Sequence, residues 1–323
     1  MNASAYTRIL VIVLAAFALA ACPGKKNKKH DDDGGATVPP PSPSYYVDAS
    51  AGSDANAGTE ILPFKTITHA MTVATTSGST VHVKPGLYDT LNNFGESFPI
   101  TVPAGVLLIG DEPSKGSGVT PTRIFGSGPA PVGSNGVTVV PGTGSTIAGL
   151  AVEHDSCCGN GSALLLSSSS VTLRNNTITG GSAAGVEFAG STNHVISGNR
   201  IESNATGLWF SSGGVGSKVE NNVITGNALV GVQYDVAGGD LGGGSAGSLG
   251  GNVITCNAMV DLLAGSPTAL ITISAAKNSW DHTAPSFFSP GSACTFGGDD
   301  ICDYYGTATV NSSNATLALS PCL

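Results

Sequence analysis

Along the middle of the chain, apolar residues come in short bursts separated by Gly, Asn and Ser, and the bursts return on a fixed beat. Asn176-Thr-Ile, Asn199-Arg-Ile, Asn222-Val-Ile and Asn252-Val-Ile stand 23, 23 and 30 residues apart. A period of roughly 20 to 25 residues is the length of one solenoid coil. Two residues after each asparagine sits Ile178, Ile201, Ile224 or Ile254, and five after it come Gly181, Asn204, Asn227 and Asn257. A second motif of Gly, aliphatic, variable residue and aromatic appears as Gly185-Val-Glu-Phe188, Gly207-Leu-Trp-Phe210 and Gly231-Val-Gln-Tyr234. No stretch here has helical periodicity. Short β-branched runs punctuated at constant spacing predict an all-β fold, a parallel β-helix whose strands pair with their equivalents one coil away and whose isoleucines stack into a continuous core. The run Gly238 to Gly250, rich in glycine, reads as a loop bulging from one coil.

The repeated asparagines Asn176, Asn199, Asn222 and Asn252 are read as a structural ladder. At a bend an Asn tolerates left-handed geometry, and stacked amides can hydrogen-bond between coils and satisfy turn carbonyls. The beat resembles the parallel β-helix repeats of pectate lyases and of many bacterial surface proteins.

Arg8 precedes an apolar run from Ile9 to Ala21 that ends in Leu19-Ala-Ala-Cys22. A charged start, a short apolar region and small residues before the cut define a secretory signal, since a bilayer span needs about 20 apolar residues. The Leu-Ala-Ala-Cys sequence resembles a bacterial lipobox. That resemblance implies a lipoprotein signal over residues 1–21 and diacylation of Cys22; the alternative is an ordinary signal peptide with a chance cysteine at the cut. Anchoring by several acyl chains is effectively permanent, because each buried CH₂ contributes about 0.8 kcal/mol. Pro23 after the cysteine resembles the outer-membrane sorting class of Gram-negative cells, so the expected location is the cell envelope, as an outer-membrane lipoprotein. Residues 22–44 carry Lys25, Lys26, Lys28, Lys29, Asp31 to Asp33 and four prolines from Pro39 to Pro43. Such a stretch cannot bury a core and reads as a tether. One elongated domain is expected over residues 45–323.

That domain carries 8 Lys and Arg against 19 Asp and Glu. The acidic balance repels phosphate backbones, and no basic stripe interleaved with aromatics is present, so nucleic acid is excluded as the expected partner. Besides Cys22 there are Cys157, Cys158, Cys256, Cys294, Cys302 and Cys322. An exported location and an even count argue for disulfides. Adjacent Cys157 and Cys158 are poorly placed to join, Cys294 with Cys302 is the best local bridge, and the C-terminal cluster is expected to staple a cap. The absence of Cys-x-x-Cys argues against zinc, and no cofactor is expected.

Near the amino end, Asp54 to Gly58 is a turn cluster, and Thr66 can N-cap a helix with Ile67, Ala70, Met71 and Ala74 on one face. Such a helix would cover the open end of the first coil. The motifs Gly52-Ser-Asp-x-Asn-x-Gly-Thr59, Pro63-Phe-Lys-Thr-Ile67, Val83-Lys-Pro-Gly-x-Tyr88 and Phe98-Pro-Ile100 are similar to those of the DUF1565 family, exported right-handed β-helix proteins. Gly242 to Asn252 and Asn278-Ser-Trp-Asp281 resemble its later segments. The resemblance implies a right-handed parallel β-helix related to polysaccharide lyases, with no established activity. Fold does not carry function with it.

A lyase needs a Lys or Arg base beside carboxylates that hold Ca²⁺. Arg174, Arg200, Lys218, Glu187, Glu202, Glu220 and Asp235 are instead scattered over several columns, and no catalytic residue is assigned. A hydrolase needs two carboxyls about 5 to 9.5 Å apart, and no pair matches on neighbouring coils among the aligned repeats. The histidines His69, His82, His154, His194 and His282 read as polar surface or hydrogen-bonded groups. Glu153, His154 and Asp155 form the one dense polar cluster; Glu153 and Asp155 could share a face and bind Ca²⁺, or the segment is a disulfide-pinned loop. In the Gly-aliphatic-x-aromatic motif, alternation puts Glu187, Trp209 and Gln233 on one face. If the aliphatic and aromatic set is core, that outer column offers an acid, an indole and an amide in register, a platform for a polysaccharide. The sequence thus favours a non-catalytic glycan-binding or surface-interaction protein, with a polysaccharide lyase or glycoside hydrolase as the alternative.

Overall fold

The computed structural model describes residues 42–91, 95–132, 136–156, 159–266, 269–288, 294 and 299–322. The expected signal, Cys22, most of the tether, Cys157 and Cys158 lie outside them. The described chain is a right-handed parallel β-helix with three long sheets of seven, nine and ten strands. The first sheet runs from Ser44–Val47 to Lys218–Glu220, the second from Gly86–Tyr88 to Thr316–Leu317, and the third from Ile100–Val102 to Asp299–Asp303 and Phe287–Phe288. Neighbours in each sheet are equivalent strands one coil apart.

The repeat columns read in the sequence are the core. Ile178, Ile201, Ile224 and Ile254 stand opposite one another in the second sheet and are fully buried. Val186, Leu208, Val232 and Leu262 do the same in the third. Beside them the rings of Phe188, Phe210 and Tyr234 stack with centroids 4.2 and 4.4 Å apart. Offset stacking of this kind adds to the area that the rings bury.

The corner between the first and second sheets is built by the asparagine ladder. Asn199 Oδ1 accepts from Asn176 N at 2.9 Å and Asn176 Nδ2 at 3.0 Å, and Asn222 and Asn252 repeat the pattern one coil on. The ladder begins where Asn176 accepts from Leu150 N and continues to Asn278. The left-handed residue expected at the asparagine is the one before it: Asn175, Gly198, Asn221, Gly251 and Lys277 all have φ between 52° and 74°. The ladder amide itself turns inward, where water cannot reach it. A second ladder runs through Asn204, Asn227 and Asn257, again with left-handed residues, Ser203, Gly226 and Cys256, in front.

The glycine-rich run is more than a bulge. Asp240 and Leu241 occupy a position in line with the first sheet: Val219 N donates to Asp240 O, Leu241 N donates to Ser274 O, and Leu241 is fully buried. Asp240 carboxylate oxygens accept from the backbone N–H groups of Gly242, Gly244 and Ser248, which folds the remainder back on the coil. Small residues are required because Gly242 lies against the Ala276 carbonyl, leaving no space for a Cβ.

The predicted helix spans Ile67–Val73, with Ile67, Ala70, Met71 and Ala74 buried against the first coil. Thr66 Oγ1 caps it by accepting from His69 N. Asp54 accepts from Lys65 N and Thr66 N, and Glu96 accepts from Ile67 N and Thr68 N. Gly52 and Gly58 sit so close to Phe64 that a Cβ at either would overlap it. Tyr88 is buried and donates to Lys84 O at 2.8 Å. The amino-terminal motif residues are thus consumed in building the cap.

Among the described residues there are two disulfides, Cys294–Cys302 as expected and Cys256–Cys322, which ties Cys322 to the coil at Val253–Thr255.

Asn222→Ala removes an acceptor of two hydrogen bonds and the donor to Ile196 O and Glu220 O. Each group left unpaired costs about 1 to 3 kcal/mol, to be read as a lower melting temperature and denaturation midpoint. His194 is buried; its Nδ1 accepts from Val171 N at 3.2 Å and its Nε2 lies 2.9 Å from Ser191 Oγ. Burial pushes its pKa down to about 4, against about 6.5 for an unfolded His. As pH falls below about 6.5 the unfolded chain takes up a proton that the native state refuses, so stability drops until about pH 4 by on the order of 3 kcal/mol. His194→Gln should flatten that part of the stability curve relative to the wild-type chain.

Candidate functional site

Strands Ala184–Phe188, Thr206–Phe210 and Val230–Tyr234 follow one another in the third sheet, with Glu187 opposite Trp209 and Trp209 opposite Gln233. Alternate side chains of a strand point to opposite faces. Because the aliphatic and aromatic set is core, Glu187, Trp209 and Gln233 form the outer column. Trp209 and Gln233 are half-buried. Glu187 departs from the expectation of an open acid, being only 1% exposed. Ser162 Oγ from the preceding coil donates to Glu187 Oε2 at 3.0 Å, and Ser211 Oγ from the next lies 3.4 Å from Oε1. The neighbouring coil also places buried Leu165 opposite Glu187. The acid therefore forms a covered floor and not an exposed tip.

A cleft of about 640 Å³ opens along the column, lined by Asn160, Ser182, Glu187, Thr206, Trp209 and Gln233 among others. A second cavity of about 530 Å³ shares Gln233 and continues past Asp235, Met259, Leu263, Tyr304 and Tyr305. Asp235 organises the junction. Its Oδ2 accepts from Trp209 Nε1 at 2.7 Å and its Oδ1 accepts from Gln233 Nε2 at 2.8 Å. With its N–H engaged, what the indole offers the cleft is ring surface. Tyr304 and Tyr305 are each about half exposed, with ring centroids 4.8 Å apart in an edge-to-face pair.

Asp235 appears in the sequence only as one scattered charge. Its position two residues after Gln233 puts it on the same outward face, and that period was the available signal. Tyr304 and Tyr305 lie beyond the aligned repeats, so no column assigned them; only the pairing of Val260–Ala264 with Asp299–Asp303 brings them beside the groove.

The remaining candidate groups are used within the fold. Arg174 makes a two-pronged contact with Glu112 at 2.8 and 2.9 Å, and the guanidinium holds that carboxyl below the usual carboxylate range. Arg200 pairs with Glu202 and Arg123 with Glu153, each at 2.7 Å. Arg123 compensates the Glu153 charge, and Asp155 has its own contacts. His154 and His194 are buried, His69 packs edge-on against Phe64, His82 stacks on Tyr46, and His282 meets Asp300. The described residues lining the two cavities include no Lys, Arg or His.

No curated protein matches this chain in sequence. Among solved structures, similarity is found to the pectate lyase Pel9A, with TM-score 0.48 and 14% identity over 84% of this chain and 78% of that one. A rhamnogalacturonan lyase gives TM-score 0.40 and 14% identity over 84% and 66%. The GH136 lacto-N-biosidase from Eubacterium ramulus gives TM-score 0.46 and 14% identity over 73% of this chain; the chain spans about half that enzyme's length, 53%. The family model described as "Protein of unknown function (DUF1565)" matches residues 50–287. With most of its length in that match and the family's motifs built into its cap, the chain belongs to the DUF1565 family.

Proposed function

We propose that this protein binds a glycan chain, without transforming it, in the groove along the third sheet. The observation that carries the reading is the fixed indole of Trp209, held by Asp235 in the wall of an elongated cleft, with Glu187 and Gln233 in register on either side. Coils stack about 4.8 Å apart, so the three positions span roughly 10 Å, comparable to two sugar rings. An aromatic ring covers the apolar face of a sugar, while the half-buried Gln233 amide exchanges hydrogen bonds with its hydroxyls and the covered Glu187 carboxylate, held by Ser162 and Ser211, forms the floor beneath. Tyr304 and Tyr305 extend the same surface toward the C-terminal end. The carboxylates of the groove are engaged within the fold, Glu187 by Ser162 and Ser211 and Asp235 by Trp209 and Gln233, which supports binding over β-elimination, a reaction that needs a base at the sugar ring.

The lipobox-like Leu19-Ala-Ala-Cys22 and the following tether support a membrane anchor at Cys22, which would hold the groove at the cell envelope as an outer-membrane lipoprotein. Cys22→Ser is expected to leave the precursor uncut or to release the chain to the soluble fraction; fatty-acid label incorporated equally by the variant would refute the anchor.

Trp209→Ala should weaken binding on a glycan array and in titration by tenfold or more, about 1.4 kcal/mol, while the β-sheet circular dichroism stays unchanged. A folded variant that binds every glycan as the wild type does would place the surface elsewhere. Release of reducing ends or unsaturated products by the wild-type chain would replace binding with catalysis.

A further inference from the structure

At its C-terminal end the second asparagine ladder stops on an acid. Asn257 Nδ2 donates to Asp261 Oδ1 at 2.7 Å. In the third sheet Asp261 continues the column of Gly185, Gly207 and Gly231, and Asp300 follows it. Glycine is required on the earlier coils because a Cβ would press on the ladder amide, 2.8 Å from Asn204 Nδ2 at Gly185 and 2.6 Å from Asn257 Nδ2 at Gly231. Beyond Asn257 the column switches to carboxylates. This is the matching carboxyl pair on neighbouring coils that the aligned repeats lacked.

Asp281 joins the pair from the second sheet. One oxygen of each of Asp261, Asp281 and Asp300 lies within 4.8 Å of the others, and all three residues are buried. Two of them are firmly placed. Asp281 accepts from Cys256 N at 2.8 Å and Cys322 N at 2.7 Å, so it grips both ends of a disulfide. Asp300 accepts from Asp281 N, from Ser286 N and Oγ, and from the His282 ring. Asp261 is different. It is 2% exposed, and its Oδ2 has no hydrogen-bond partner among the described residues.

Three carboxylates at this depth are compensated, among the described residues, only by His282, at 3.0 Å from Asp300. An uncompensated buried charge is expensive, and either a proton or a cation must relieve it. Burial, reinforced by the Asp281 and Asp300 charges, raises the Asp261 pKa well above the usual carboxylate range. Asp261 Oδ2 is buried with no hydrogen-bond partner among the described residues, whereas a proton shared between two carboxylates draws their oxygens to about 2.5 to 2.7 Å. Oxygens around Ca²⁺, at about 2.3 to 2.6 Å from the ion, stand up to roughly 5 Å from one another. One oxygen from each of the three carboxylates lies within 4.8 Å of the others, close enough for all three to share one such ion. We propose that Asp261, Asp281 and Asp300 hold a structural Ca²⁺ ion that ends the ladder and locks the last coils to the Cys256–Cys322 bridge. Water and second carboxylate oxygens complete the six to eight ligands that Ca²⁺ takes. Because Leu263 lies on the strand that carries Asp261 and Tyr304 directly follows the strand that carries Asp300, the ion also braces the groove's far wall.

The test uses the purified full-length chain, stripped with EDTA and titrated with CaCl₂ by calorimetry and thermal unfolding. One Ca²⁺ per chain is expected, with melting raised by about 5 °C or more at a hundredfold excess over Kd, and a smaller response to MgCl₂. Asp261→Asn keeps an acceptor for Asn257 and should lose both binding and shift. A wild-type chain indifferent to Ca²⁺, or an Asp261→Asn variant that responds as the wild type does, overturns the proposal. An Asp261→Asn variant more stable than the wild type in the presence of Ca²⁺ also overturns it, since Asp261 would then be a protonated acid. Should the variant not fold, Tb³⁺ luminescence of the wild-type chain decides. Trp280 immediately precedes Asp281, so tryptophan-sensitised emission, displaced by Ca²⁺ and retained in Trp209→Ala, is expected; no Ca²⁺-displaceable emission overturns the assignment.

Discussion

From Leu150 to Asn278 this protein turns its corners inside its own core, and the buried backbone groups there must find partners where no water reaches. Two columns of asparagine meet this demand. Within a column the Oδ1 accepts from the backbone N–H and the side-chain amide of the asparagine one coil before it, the first members accept from Leu150 N and Gly181 N, and each Nδ2 also reaches a backbone carbonyl. Asn supplies two donors and two acceptor sites in a short, planar group, so a stack of them is saturated internally. A buried polar group that loses its partner forfeits its full desolvation penalty. The coil length, the glycines beside the second ladder and the left-handed residues before each asparagine all follow from keeping these stacks aligned.

The ends of such a stack are its weak points, and the two ends are treated differently. At the amino end the helix Ile67–Val73 covers the first coil, held by Thr66, Asp54 and Glu96, which satisfy its leading N–H groups. Toward the carboxyl end no helix stands among the described residues. There the ladder passes into the Asp261, Asp281 and Asp300 cluster and a disulfide. Neutral amides can propagate a stack indefinitely, whereas carboxylates terminate it and bring a charge that requires compensation.

The core and corners leave only one side chain in two on each strand free to vary without disturbing the stack. On the third sheet that freedom is spent on Glu187, Trp209 and Gln233, with Asp235 fixing the latter two. The strongest family motif sits elsewhere, in the amino-terminal cap, where Gly52, Gly58, Phe64 and Tyr88 are packed together or hydrogen-bonded. The residues that carry the most specific of the family's motifs are therefore those that close the helix.

The solenoid, its core columns, the capping helix and the Cys294–Cys302 bridge were all legible in the sequence, because a β-helix repeats the same local demands every coil and prints them as a period. Where the period fails, sequence alone misreads. The Gly238 to Gly250 run looked like a bulge, yet Leu241 enters the core, since only the fold shows that a coil lacks its first-sheet strand there. The outward column was visible, but its exposure was not: Glu187 is closed over by Ser162 and Ser211, which are 25 and 24 residues away. Tyr304, Tyr305 and the trio of Asp261, Asp281 and Asp300 lie beyond the regular beat. Their juxtaposition is set by which coils stack on which, a long-range relation that no local pattern encodes.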